Sequence, residues 1–477
     1  MSAKIVLANK YATGNLVYID TNLNKLPKTL FSKTERKFIN EELKNDRKMI
    51  VINQFKRYVF IQILEDKKGY IHQSEAMRKA GDSIAAQLNK QKQNTVTIMA
   101  GNRSGAALAM AEGMALGNYQ FIQFRKDKAK EKNALTTINV VCENITPKDV
   151  SMLNITVDAV CHARDLVNMP NSHQTATQLA ASFQDLGKKA GFEVEVWNMA
   201  KISSMKMGGL LAVNVGSPEP PTFTVMEYKP ANAVNKKPYV LVGKGVVYDT
   251  GGLSLKPTPN SMDLMKCDMA GSAVVACTMF AIAKAKLPIH VIGLTPATDN
   301  RPGGNAFAPG DIIHMMNGAT VEMLNSDAEG RMILADALHH AKQYKPELVC
   351  EFSTLTGAAA AAIGHYGIVC MGTANDEVKD KLKLAGNNVF ERLVEFPFWE
   401  EYDDLLKSDI ADFKNIGGPY GGAITAGRFL NKFTDYPYMH FDIAGPAFHR
   451  TRDSYRNKDA TGVGVRLMMD FFRAIAQ

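Results

Sequence analysis

The chain reads as an α/β protein of two domains, and three observations carry that reading. Short apolar or alternating runs interleave with longer stretches whose apolar residues recur every three or four positions, the pattern of strands and helices in alternation. The run at 239–243 is continuously apolar, which suits a central strand buried on both faces of a sheet flanked by helices. And 477 residues are more than one hydrophobic core ordinarily organises.

Residues 4–8, 16–19, 49–53, 58–64 and 95–99 have strand composition. Between them, 72–91 places Ala76, Met77, Ala80, Ile84 and Leu88 on one helical face, and 104–116 is an Ala- and Met-rich helix. Residues 1–148 are therefore expected to form an N-terminal α/β domain. It holds no cluster of ligands or nucleophiles, so an assembly or regulatory role is expected of it. The mixed-sign run from Arg125 to Lys132 fits a solvated linker or helix end. Over 149–167 a helical period returns in Met152, Leu153, Val157, Val160, Ala163 and Leu166, then stops at Asn168-Met169-Pro170. The stretch 149–170 thus reads as a connecting helix and 171–477 as the second domain. There, 174–190 is a helix, 192–197 a strand, 272–284 an apolar helix, and 332–344 a helix with Ile333, Leu334, Ala337, Leu338 and Ala341 as its stripe.

Composition narrows the function. A formal charge of +8 is a small excess for this length and the charge runs mix signs, so nucleic acid is not expected as the main partner. The apolar patch within residues 1–10 is too short for a secretory core, and no small-residue cleavage pattern follows it. The most apolar later stretch, 355–371, is rich in Ala and Gly, contains His365 and is shorter than a membrane span. A cytoplasmic protein with no membrane partner is expected. Six cysteines without CxxC pairs point to reduced, buried thiols. The ten histidines are scattered, and His339-His340 would face different sides of a helix, as structural residues do.

The polar residues left unexplained gather after the buried run. Lys244 at the end of a buried strand has to be paired or uncharged, because an unpaired buried ammonium is costly. The glycines of Lys244-Gly245-Val246-Val247-Tyr248-Asp249-Thr250-Gly251-Gly252 match neither GxxxxGK[ST] nor a third glycine opening a helix, so phosphate and dinucleotide binding are set aside. What remains is polar groups at a strand end, where α/β sheets place ligands. Asp268 precedes the helix 272–284, as a cap or as a ligand. In Asn325-Ser326-Asp327-Ala328-Glu329-Gly330-Arg331 an extended backbone would aim both acids to one side, and Gly330 would permit a turn closed to other residues. Taken alone, such acids before a helix are ordinary capping. Taken together, Lys244, Asp249, Asp268, Asp327 and Glu329 offer carboxylates and one amine with no cysteine or histidine among them. Crowded carboxylates repel and need cations, and two divalent metal ions sharing carboxylates are the economical explanation.

These motifs, with Lys256 and Met265-Lys266-Cys267-Asp268-Met269 between them, resemble the signature of the leucine aminopeptidases, the cytosol aminopeptidase family of metallopeptidases. Arg164-Asp165-Leu166-Val167-Asn168, Thr354-Leu355-Thr356-Gly357 and Asp442-Ile443-Ala444-Gly445-Pro446 extend the resemblance over most of the second half, whereas the first domain is similar only in general character.

The resemblance implies a smaller N-terminal α/β domain and a larger catalytic one with a central mixed sheet flanked by helices. It implies a metal-dependent aminopeptidase that removes Leu- or Met-like, or varied, first residues from peptides with a free N-terminus. Asp249 and Glu329 would bridge two metals, Asp268 and Lys244 would complete the looser site, and Asp327 would belong to the tighter one. Lysine can serve there only as the neutral amine. Lys256 would stay charged toward the scissile carbonyl, and Arg331 would hold a bicarbonate acting as general base. Met265, Thr354 and Gly357 would belong to the first side-chain pocket, with Asn325 and Leu355 along the substrate. Zn or Mn would fill the sites, with Mg or Co also compatible with such ligands, and the chain would assemble as a homohexamer. A Cys-Gly dipeptidase and a DNA-binding hexamer with secondary peptidase activity stand as alternatives. Two departures from the family pattern are the loop Pro257-Thr258-Pro259-Asn260-Ser261-Met262, longer than in the commonest members, and Asn300-Arg301-Pro302, where an acidic residue often precedes a methionine-proline pair.

Overall fold

The computed structural model describes residues 3–8, 14–21, 30–65 and 69–476, so the reading of the first ten residues lies partly outside the described ones. The chain divides into two compact units, Met1–Cys161 with Thr451–Asn457, and His162–Arg450 with Lys458–Gln477. The division falls inside the helix Pro147–Asn168. A late excursion, Thr451–Asn457, belongs to the first unit, and local periodicity carries no sign of such a return.

In the first unit the strands are β1 Lys4–Leu7, β2 Asn15–Asp20, β3 Met49–Asn53, β4 Tyr58–Ile63, β5 Thr95–Met99 and β6 Thr137–Val141. They form one sheet in the order β1-β6-β5-β2-β4-β3, parallel except for the antiparallel edge strand β3. Leu16, Ile50, Ile52, Val59 and Ile61 of the sheet bury a face with Phe31 and Ile39. Ile39 rides on the helix Lys33–Lys44, which a Ser32/Glu35 capping box starts. The helices Gly69–Lys90 and Ser104–Gly117 pack backbone against backbone: a Cβ on Gly113 would lie 2.0 Å from the Arg78 carbonyl oxygen.

The second unit contains β7 Glu193–Trp197, β8 Thr222–Tyr228, β9 Tyr239–Gly243, β10 Gly245–Asp249, β11 Val291–Asn300, β12 Asp311–His314, β13 Thr320–Met323, β14 Leu348–Ser353, β15 Ile368–Gly372, β16 Leu393–Glu395, β17 Phe413–Lys414 and β18 Tyr438–Asp442. Its main sheet runs β16-β15-β18-β14-β9-β11-β8-β7, with β10 also on β11. The central strands β18, β14, β9 and β11 are parallel, while β15, β8 and β7 join by antiparallel pairings, so the sheet is mixed. On one face Val240, Val242, Leu294 and Val349 pack with Ile333, Leu334, Ala337, Leu338 and Ala341 of the helix Gly330–Ala341, the stripe expected from the sequence. The helix Ala270–Lys284 is buried along nearly its whole length. The segment Met262–Lys284 is long and apolar enough to cross a membrane, but 89% of its apolar window is buried inside the fold, as in a core helix.

This topology positions the polar residues. Lys244 follows β9, Asp249 ends β10, Asn300 ends β11, Thr354 follows β14 and Asp442 ends β18, so the carboxyl ends of mutually parallel strands deliver them to one edge of the sheet.

Candidate metal centre

Lys244 and Asp249 are both buried, at 3% and 2% exposure, and the chain cannot leave them unmatched. Asp268 reaches the same place from the end of the 3₁₀ turn Met262–Cys267. The cap reading does not hold for it, because Met269 is the N-cap of the helix Ala270–Lys284 and no side-chain cap bond is made. Instead the Asp268 carboxylate accepts from the Lys244 ammonium at 2.8 Å and from the Thr354 hydroxyl at 2.8 Å.

Asp327 and Glu329 sit on a turn between β13 and the helix Gly330–Ala341, not on extended backbone: the Ala328 amide donates to the Asn325 carbonyl, and the Asp327 amide donates to the Asn325 side chain. The turn, with Glu329 in helical conformation, aims the two acids at one pocket where a strand pleat was expected to do so. Gly330 is needed for closeness, not for an unusual turn. A Cβ there would lie 2.4 Å from the Lys244 side chain, and Gly330 has no positive φ.

The six side chains Lys244, Asp249, Lys256, Asp268, Asp327 and Glu329 thus meet. The Lys244 Nζ lies 3.0 Å from Glu329, and the Lys256 Nζ lies 2.8 Å from Asp249 and also pairs with Asp327. Asp249, Asp268 and Glu329 each offer one oxygen within 4.8 Å of the others. Asp327 is the most accessible of the acids, with its side chain 34% exposed.

The electrostatics are those of a site short of positive charge. Burial pushes the Glu329 carboxyl up to about 8, with Asp249 adding repulsion and Lys244 opposing. Burial likewise pushes Asp268 up to about 6 against the pull of Lys244. Asp327 is raised by burial and by Asp249. Burial alone would lower both ammoniums, but the surrounding carboxylates outweigh it and hold Lys244 and Lys256 above the ordinary lysine range.

Both Glu329 oxygens and one Asp268 oxygen accept no hydrogen bond of good geometry among the described residues, although Lys244 is close to both groups. Buried carboxylate oxygens without donors are rare and call for an explanation. Oxygen and amine donors with no thiolate or imidazole suit Mg, Mn or Zn, so the residues present fit divalent cations.

Arg331 lies beside this cluster, 7% exposed. Its Nη1 donates to the Asn415 carbonyl at 2.6 Å, the guanidinium lies 5.9 Å from the Phe429 ring centroid, and Nε finds no acceptor among the described residues. Burial lowers it to about 10, against the pull of Glu329 and Asp442, so it remains a cation at neutral pH.

A family model described as the cytosol aminopeptidase family, catalytic domain, matches residues 161–469, and the model of that family's N-terminal domain matches 66–128. The chain belongs to the cytosol aminopeptidase family. It is an aminopeptidase, a hydrolase acting on peptides. A probable cytosol aminopeptidase of Chlorobaculum tepidum is 44% identical over 381 residues, covering 77% of this chain and 75% of that one. Among solved structures, the bottromycin maturation enzyme BotP in complex with Mn superposes with a TM-score of 0.85 at 27% identity, covering 98% of this chain and 100% of that one. A mutant of tomato leucine aminopeptidase superposes with a TM-score of 0.86 at 25% identity, covering 98% and 96%.

Of the residues expected along the substrate of this aminopeptidase, Thr354 and Asn325 bond to the acid-bearing segments. Thr354 holds Asp268 and accepts from Lys244 through its carbonyl at 3.2 Å, so its hydroxyl orients a carboxylate. The Leu355 amide donates to Asp442 at 3.2 Å, and its side chain packs on the core. Gly357 opens the helix Gly357–Ile363 toward free space. Met265 is half-buried on the 3₁₀ turn, and Asn325 shapes the acidic turn.

Several contributors have no role in the sequence reading. Asn300 donates to Asp249 at 2.9 Å, and Asn415 ties Arg331 to the acidic turn through Asn325. Asp442 holds the Thr356 hydroxyl at 2.7 Å. Their signal lies in packing between strands distant in sequence, which residue spacing does not carry. Arg301 is matched locally, paired with Asp299 at 2.7 Å and 4.9 Å from the Tyr248 ring. His340 packs edge-on against Trp197 at 5.0 Å, a core residue rather than a ligand.

Proposed function

We propose that the aminopeptidase uses two divalent metal ions, which Lys244, Asp249, Asp268, Asp327 and Glu329 would hold. The observation that carries this reading is the set of buried, donor-less oxygens on Glu329 and Asp268, in a cluster where four carboxylates face two ammoniums. Zn or Mn fits the donors, with Mg and Co as further candidates. Bound there, the cations would polarise the scissile carbonyl and make a water nucleophilic at neutral pH.

The chain's own residues do the rest. Lys244 is charged only because the acids outweigh its burial. With cations neutralising those acids, the charge that keeps Lys244 protonated would be gone, and its buried amine would serve as a neutral ligand. Lys256 is pinned by Asp249 and Asp327 through the same negative charge. With that charge neutralised, its ammonium would be free to stabilise the oxyanion developing on the scissile carbonyl. Thr354 fixes the orientation of Asp268. Arg331, a buried cation with an unused Nε, holds a small anion such as bicarbonate as the proton acceptor. Half-buried Met265 offers a pliable apolar wall for a Leu- or Met-like first side chain. The names of its relatives support action in the cytoplasm, and the family resemblance supports a homohexamer.

A panel of aminoacyl-p-nitroanilides, with N-acetyl-Leu-p-nitroanilide as control, tests the reading. Hydrolysis of the Leu and Met substrates, abolished by the acetyl group and by a chelator, is expected. Equal turnover of the acetylated substrate would refute it.

A further inference from the structure

Asn300 ends β11, a strand buried at all ten of its positions, and is itself 0% exposed. Its Nδ2 divides between two acceptors at 2.9 Å each, the Asp249 carboxylate and the Ser326 carbonyl. Its own carbonyl accepts from the Thr250 amide at 3.1 Å and the Thr250 hydroxyl at 2.8 Å. One side chain and its backbone therefore join the end of β10, which carries Asp249, to the turn that carries Asp327 and Glu329. Ser326 closes the same link from the other side: its hydroxyl donates to the Gly251 carbonyl at 2.6 Å and accepts from the Ser254 amide at 2.7 Å.

The consequence falls on one carboxylate. Asp249 Oδ1 is taken by the Gly251 amide at 2.8 Å and by Asn300, which leaves Oδ2 facing Lys256 and the other acids. Two like-charged segments would drift apart without a cation, and a neutral double donor between them holds the spacing without adding negative charge.

Resting on the two-metal reading above, the geometry points to Asn300 as a positioning residue. It presets the separation and carboxylate orientation of the two ligand-bearing segments before any metal arrives, and it touches neither substrate nor reacting atoms.

The test is the affinity of chelator-stripped protein for Mn2+ and Zn2+, read by competition with a chromophoric chelator, for the wild type, N300A, N300D and T298A. Thr298 lies on the same strand and bonds Asn214 and the Asp299 carbonyl but none of the acids, so T298A reports damage to the strand alone. N300A is expected to weaken metal binding by about ten- to a hundredfold, with T298A near wild type. N300D is the sharper variant. If Asn300 only filled space, an added carboxylate would hold a cation as well or better, whereas loss of the donor predicts weaker binding in spite of the extra charge. If N300A does not fold, N300D, of the same shape, decides. Binding by N300D equal to or tighter than wild type, or an equal loss in T298A, overturns the proposal. Failure of the wild type itself to bind either metal would instead bring down the two-metal reading.

Discussion

In the first unit Glu75 accepts from Tyr455 at 2.7 Å and Arg456 at 2.9 Å, Glu112 from Arg78 at 2.6 Å, and Asp82 from Arg452 at 2.5 Å. In the second unit the Glu329 oxygens accept no hydrogen bond among the described residues, and Asp268 shares with it a single ammonium. Both places bury several acids. In one, three acids face three arginines and a phenol, so charge and donors are balanced and the cluster is finished as it stands. In the other, four carboxylates share two lysines, and once Lys244 serves as a neutral ligand the deficit exceeds the charge of one divalent ion. Buried acids are thus a poor sign of function by themselves. It is the missing donors that separate a site from a structural network.

The sharpest way to break the comparison is to remove an acid from the unfinished cluster. Glu329→Ala or Asp327→Ala is expected to abolish hydrolysis of Leu-p-nitroanilide while circular dichroism stays unchanged, since the fold owes these groups little. Retained activity would place the chemistry elsewhere. Next in size, Lys256→Ala should lower kcat by about 10²–10³-fold with KM nearly unchanged, because its contact strengthens as charge develops. A rise in KM alone would make Lys256 a binding residue.

The finished cluster should respond in the opposite currency. Glu112→Ala takes from buried Arg78 its shortest ion pair, leaving Glu75 at 3.7 Å, and is expected to cost about 3 kcal/mol of stability, measured by denaturant unfolding. Metal content and kcat of the folded fraction should stay as in wild type.

The smallest effect is a difference in pH dependence. Glu329, raised from 4.5 to about 8, and Asp268, raised from 3.8 to about 6, keep protons in the fold that the unfolded chain has already released. Metal-free protein should therefore lose stability as pH rises from about 4 to about 8. Asp336, pushed up to about 7 by burial, adds the same sign in both forms. Metals compete with the protons on the cluster, so the stabilisation they confer should grow over that window. Unfolding midpoints with and without metal would show it, and parallel curves would count against the cluster as the binding site.

How much of this was legible in the sequence follows from where each signal resides. The strand Tyr239–Gly243 and the stripe of the helix Gly330–Ala341 announce themselves through local apolar pattern. The strand Val291–Asn300, buried on both faces and holding Gly293 and Pro296, has no period to detect. The acids were legible as types and spacings, but the turn that orients Asp327 and Glu329 was not, because an Asx bond from Asn325 shapes it. Gly330 was noticed for the wrong reason, since its neighbour Lys244 comes from a strand more than eighty residues away. Asn300 and Asn415 act only across the packed fold, and the return of Thr451–Asn457 to the first unit brings arginines to the buried acids Glu75 and Asp82.

Titration of chelator-stripped protein with Mn2+ or Zn2+, following bound metal and Leu-p-nitroanilide hydrolysis together, tests the central claim most directly. Two equivalents per chain, with activity returning as they bind and neither event occurring in Glu329→Ala, is the predicted result. Full activity in metal-free protein, or binding undiminished by that substitution, would contradict it.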